Sequence, residues 1–143
     1  MTSSNLSNLA RIGKLKAEPP AQSEFDGLLR SGRVRLADAR KAGNALESRF
    51  DLAYNAAHSF SLAALRWHGF RSEDRYLVFQ ALEHTLGFAY SKWKVLDNFH
   101  RVRNRSEYEG TLDLTDGQVA ELIAMAEEVL RGVEGLGAIP RQT

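Results

Sequence analysis

The feature that most constrains this chain is a run of apolar residues spaced alternately four and three apart, without a break: Leu46, Phe50, Ala53, Ala57, Phe60, Ala64 and Trp67. That spacing lines up one face of an α-helix and has no counterpart in a strand, where the period is two. A single helix over residues 45–68 would be about 36 Å long at about 1.5 Å per residue, enough to run the height of a small bundle. Gly69 is placed to end it in the left-handed conformation.

The same periodicity recurs on both sides. Phe25, Leu29, Gly32, Leu36, Ala39 and Gly43 predict a preceding helix, with Ser23 as its cap and Glu24 and Asp26 at the positive end of its dipole. Ser72-Glu73-Asp74 reads as the start of another, with Phe79, Leu82 and Leu86 on its buried side, and Gly87 follows. A further helix is expected from about Ser91 to about Glu107 on Val95, Phe99 and Val102, then a turn at Gly110. Thr115 and Gln118 have capping-box spacing and introduce Val119, Leu122, Ala126, Val129 and Val133, with Gly135 and Gly137 ending the element. A short helical segment over residues 5–16 precedes all of these and is stopped by Glu18-Pro19-Pro20.

No run of period-two alternation is present, so the expected architecture is an all-α, antiparallel, up-and-down bundle of four to five helices. Its 143 residues allow one core. The division expected is an N-terminal helical segment and linker over 1–22, then a bundle over 23–137.

Composition removes several functional classes. Without cysteine there are no disulfides, thiolate nucleophiles or Cys-based zinc sites. Every apolar run is interrupted by a charged residue or histidine, so no membrane span is expected, and the first residues lack the pattern of a secretory signal; both predict a cytoplasmic protein. No P-loop, Gly-x-Gly-x-x-Gly or Gly-x-Ser-x-Gly occurs, and no cofactor is expected. One Asp-x-x-His pair, Asp97 with His100, lacks the partners a helical di-metal site needs, so no metal is expected.

The net charge is only +1, but the charges are segregated. Arg30, Arg33, Arg35, Arg40 and Lys41 cluster in one stretch, and Lys92, Lys94, Arg101, Arg103 and Arg105 in another, whereas the last helix carries Glu121, Glu127, Glu128 and Glu134. Two basic faces and one acidic face are the expectation, each a solvated surface or a polyanion-binding patch. His58, His68 and His84 read as structural or surface residues, His68 at a helix end where positive charge on the ring is favoured.

At about 100° per residue, His100, Asn104 and Tyr108 lie along one side of the helix over 91–107, with Arg103 and Glu107 beside them and Val95, Phe99 and Val102 opposite. The wording of this strip, Arg103-Asn104-Arg105-Ser106-Glu107-Tyr108, resembles the HEPN superfamily, whose bundles carry Arg-x4-6-His late in the chain, often with Asn directly after Arg. Residues 24–134 resemble such a domain throughout, including the Ala-rich helix around Tyr54-Asn55-Ala56-Ala57 and the Trp67-His68-Gly69 ending.

The resemblance implies an RNA-targeting component of a toxin-antitoxin or defence module. It further implies a homodimer whose paired strips line a basic groove, and a nucleotidyltransferase-type antitoxin as partner. It makes Arg103, Asn104, Tyr108 and His100 the candidate catalytic residues, and Arg101, Arg103 and Arg105 the candidate nucleic-acid contacts. In such sites Arg holds a phosphate with paired donors, and His moves a proton during metal-independent RNA cleavage. This chain departs at one place: Tyr108 stands where Arg-x4-His would put the histidine, and a phenol with a pKa of about 10 is a poor base near neutrality. The alternative is a non-catalytic helical dimer that binds a nucleotide, nucleic acid or protein.

Overall fold

The computed structural model describes residues 2–110 and 113–140. Seven helices are described: α1 (Thr2–Arg11), α2 (Gln22–Ala39), α3 (Leu46–Trp67), α4 (Arg75–Gln80), α5 (Leu82–Thr85), α6 (Tyr90–Glu109) and α7 (Asp116–Glu134). Helix α3 is the axis of the molecule, packed by α2, α7, α4 and α6. The all-α expectation holds, and none of these helices is long and apolar enough to cross a membrane.

The seam predicted from spacing is the core: Phe50, Ala53, Ala57, Phe60 and Ala64 are fully buried, with Leu46 and Trp67 half-buried at the ends. Small residues on this face let α2 approach so closely that a Cβ added to Gly32 would sit 2.3 Å from the Phe60 ring. Gly69 has φ of 89° and closes α3, as its position suggested. The capping box forms, with Thr115 Oγ1 accepting from the Gln118 amide and Gln118 Oε1 accepting from the Thr115 amide. Val119, Leu122, Ala126, Val129 and Val133 are all buried.

Elsewhere the structure corrects the sequence reading. Ser23 does not cap α2. Ala21 occupies that position with no side-chain bond, because Glu24 is turned toward Arg66 and Arg71 and the first turn is held by ion pairs instead. Helix α2 stops at Ala39, short of Gly43. The helix expected after Asp74 begins there, with Asp74 Oδ1 accepting from the Leu77 amide, but it divides into α4 and α5 at Ala81.

A sheet also exists where none was expected: β1 (Lys16–Ala17) pairs antiparallel with β2 (Phe70–Arg71). Two residues per strand are too few to show alternation. Together with α1 this pairing packs the N-terminal segment on the bundle, where Leu6 and Leu15 form a second apolar cluster with Leu65, Phe70, Val78 and Ala81.

Arg66 closes that junction. It is 1% exposed, and its guanidinium donates to Glu24 Oε1 at 2.6 Å and to the carbonyls of Pro19 at 2.7 Å, Glu18 at 2.9 Å and Phe70 at 3.3 Å. Arg71 adds bonds to the Glu18 and Glu24 carboxylates. These contacts hold both carboxyls below the usual range, Glu18 chiefly through Arg71 and Glu24 chiefly through Arg66.

Candidate anion-binding site on α3, α4 and α6

The segregation of charge seen along the sequence is cancelled in space over much of the surface. Arg33 pairs with Glu134 at 2.9 Å, Arg40 with Glu127 at 2.6 Å, and Lys92 with Glu128, so α7 neutralises parts of both basic stretches. Lys41 pairs with Asp38 at 3.0 Å. On α6, Lys94 and Arg101 both bind the buried carboxylate of Asp97, each at 3.1 Å. Two continuous basic faces therefore do not form.

A compact group of basic and aromatic side chains is centred on Tyr54, which is fully buried on α3. The Arg103 guanidinium lies 5.2 Å from its ring centroid and that of Arg75 lies 5.4 Å away, both at cation–π range. His100 stacks on the same ring at 6.2 Å and 12°, with Nδ1 2.7 Å from the Tyr54 hydroxyl and Nε2 3.3 Å from the Asn104 amide. Arg75 donates to Asn55 Oδ1 at 3.3 Å. His58 meets Phe79 edge-on, and Phe79 in turn meets Tyr54 and His100.

The strip predicted on α6 is thus partly assembled, but its setting differs from the one expected. His100 and Arg103 do not point directly away from the core; they lie on an aromatic platform, His100 against Tyr54 of α3 and Phe79 of α4 and Arg103 over Tyr54. The apolar side of α6 is accordingly rotated, with Trp93, Leu96 and Phe99 buried while Val95 and Val102 are only half-buried. Tyr108 is 93% exposed and does not join the group. Arg105 is exposed, and Arg101 is committed to Asp97. The Glu107 side chain lies outside the described residues.

Sequence reading missed Tyr54, Asn55, His58 and Arg75 as members of this group. The one signal available was that Tyr54, Asn55 and His58 put polar groups beside a long apolar seam.

Burial pushes the His58 imidazole down to about 4, helped by the positive charges of Arg75 and Arg103 and by His100 when that ring is protonated. Burial also lowers His100, opposed by Asp97 and Asp74 and reinforced by Arg75 and Arg103. His68 is lowered by burial as well, although it was expected to favour positive charge, and its Nε2 lies 3.2 Å from the Thr85 carbonyl. A histidine with a depressed folded pKa takes up its proton more readily when unfolded, so it opposes folding as pH falls below the unfolded value of about 6.5.

Stability should therefore decline from pH 6.5 to 4.5, with His58 alone worth about 3 kcal/mol once pH reaches its folded pKa. The Glu18 and Glu24 contributions are lost only below this window, because their folded pKa values lie under the ordinary carboxylate value of 4.5. Urea unfolding at pH 7 and pH 4.5 measures the effect, and His58→Gln should flatten it; an unchanged slope in that variant would contradict the assignment.

A larger cleft of about 500 Å³ at the C-terminal end of α3 is lined by Pro19, Pro20, Trp67, His68 and Ile139. No arginine or lysine lines it, and the Glu18 carboxylate in its wall is held by Arg66 and Arg71. Among the described residues no group of three or more His, Asp or Glu side chains is placed to hold a metal ion. Compared with known proteins, the chain matches no family model, no curated protein and no solved structure.

Proposed function

We propose that this protein is a HEPN-like, RNA-binding component of a toxin-antitoxin or defence module, acting as a homodimer with RNase activity weak or lost. The observation that carries the reading is the convergence of Arg75 and Arg103 on Tyr54, beside two imidazoles that burial keeps neutral. Like charges gathered at a partly open surface favour an anion, and guanidinium groups offer phosphate oxygens paired, permanently charged donors. The Arg103-Asn104 motif supplies the resemblance, and the packing of Arg103 on α3 supports it, since a merely solvated strip would leave that side chain extended into water.

The non-catalytic form is favoured by two further observations. Tyr108, in the position where the family places its histidine, is exposed and apart from the cluster. His100 has both ring nitrogens within hydrogen-bonding distance of Tyr54 and Asn104, so neither is presented to a substrate hydroxyl unless one contact opens.

Fluorescence anisotropy with labelled single-stranded RNA tests the proposal. Arg103→Ala should weaken binding by about tenfold or more, the loss of one charge-assisted phosphate contact. Lys41→Ala, at a surface pair with Asp38, should stay within about twofold. A gel on the same samples should show little cleavage by wild type and, since residue 108 stands apart from the cluster, little gain in Tyr108→His. Equal affinity in Arg103→Ala and wild type would reject the site, and strong wild-type cleavage would reject the non-catalytic form.

A further inference from the structure

Beside the Tyr54 group, α2 and α3 leave a groove of about 170 Å³ whose walls are Leu28, Ser31 and Arg35 on α2 and Asn55, His58 and Leu62 on α3. Its polar groups include the Arg35 guanidinium, the Asn55 amide, the Ser31 hydroxyl and the His58 ring. Arg35 is exposed, and its guanidinium bonds back to the Ser31 hydroxyl and, at 3.3 Å, to the Ser31 carbonyl. Asn55 joins the groove to α4: its Nδ2 donates to the Asp51 carbonyl at 2.9 Å, which turns Oδ1 toward Arg75. No carboxylate lines the groove, and among the described residues neither Arg35 nor Arg75 has an ion-pair partner, in contrast to Arg33 on the same α2 and Arg40 just past its end.

We infer that this groove is a second phosphate subsite, in which Arg35 and Arg75 grip the oxygens of one phosphate group over Asn55 and His58. The inference rests on the RNA-binding reading and deepens it: the ligand carries at least two phosphates, one at Arg103 and one here. Neither α2 nor α4 belongs to the strip on α6, so this subsite is assembled by tertiary structure alone. Both guanidinium groups can turn outward, Arg35 by releasing Ser31 and Arg75 by releasing Asn55 Oδ1 and part of its contact with the Tyr54 ring, so each exchanges neutral partners for a charged acceptor. A bound anion also relieves the repulsion that Arg75 and Arg103 exert on His58.

Inorganic phosphate titrated into isotopically labelled protein, observed at the His58 ring, tests this directly. Saturable shifts are expected, together with a His58 pKa that rises from about 4 when phosphate is present. Arg35→Gln and Arg75→Gln should each weaken the phosphate response by about tenfold, whereas Arg33→Gln, a paired arginine on the same helix, should leave it within about twofold. Arg35 is exposed, so Arg35→Gln remains folded and decides the matter even where Arg75→Gln does not. A His58 ring indifferent to phosphate, or an unaltered response in Arg35→Gln, would overturn the subsite. RNA titrations separate the two ideas: binding lost in Arg103→Ala but kept in Arg35→Gln rejects the subsite alone, and binding kept in both rejects it along with the RNA reading.

Discussion

Replacing Arg66 by alanine is expected to destabilise the fold by about 3 to 5 kcal/mol, the range for breaking one partner out of a buried ionic network. The guanidinium is 1% exposed and satisfies Glu24 and three backbone carbonyls, those of Glu18, Pro19 and Phe70. Alanine would leave those carbonyls without donors at the point where the N-terminal segment joins β2 and α3. Lysine should restore little, because an ammonium is a compact charge and cannot reproduce a planar fork that serves several acceptors in different directions. With a total stability of about 5 to 15 kcal/mol for a domain of this kind, the loss is a large fraction of the whole. Urea unfolding followed by circular dichroism measures it. A change under about 1 kcal/mol would mean that the network is a surface decoration.

Phe60→Ala should cost about 3 to 5 kcal/mol as well, through the cavity left by a fully buried ring. Its neighbour makes the test sharper. A methyl at Gly32 would sit 2.3 Å from that ring, so Gly32→Ala is destabilising in the wild-type background through overpacking, by about 1 to 3 kcal/mol. In the Phe60→Ala background the same methyl enters the vacated space. The double variant should therefore be less destabilised than the two single effects combined, the coupling expected of residues that share one contact. Additive effects would contradict the close packing of α2 on α3.

The central helix was legible in the sequence because seven apolar residues on one face leave few alternatives, and α7 was legible for the same reason, with its capping box marking the start. Ser23 misled because a good capping residue two positions from the true cap, Ala21, is outweighed by Glu24, whose ion pairs with Arg66 and Arg71 fix the first turn. Those partners lie 42 and 47 residues away, and nothing local announces them. Arg66 itself sits in an Ala-Leu-Arg-Trp context that reads as a helix surface; its burial depends on carbonyls contributed by the chain around Pro19.

The candidate site divides in the same way. Arg103, Asn104 and His100 could be grouped from helical spacing alone. Tyr54, His58 and Arg75 could not, because they reach the cluster from α3 and α4 through tertiary packing. Tyr108 was grouped by spacing with residues it does not join, since near the end of α6 it stands almost fully exposed. Charge segregation along the chain was also a poor guide, because α7 returns its glutamates to Arg33, Arg40 and Lys92.

The most direct measurement of the central claim is an amide and side-chain chemical-shift map of the protein titrated with short single-stranded RNA. The perturbed signals should centre on Tyr54, Asn55, His58, Arg75, His100, Arg103 and Asn104, and should fade as salt is raised, because neutralising each phosphate releases condensed counterions. Perturbations confined to the cleft around Pro19, Trp67 and Ile139, or an RNA that moves no signal in the Tyr54 cluster, would contradict it.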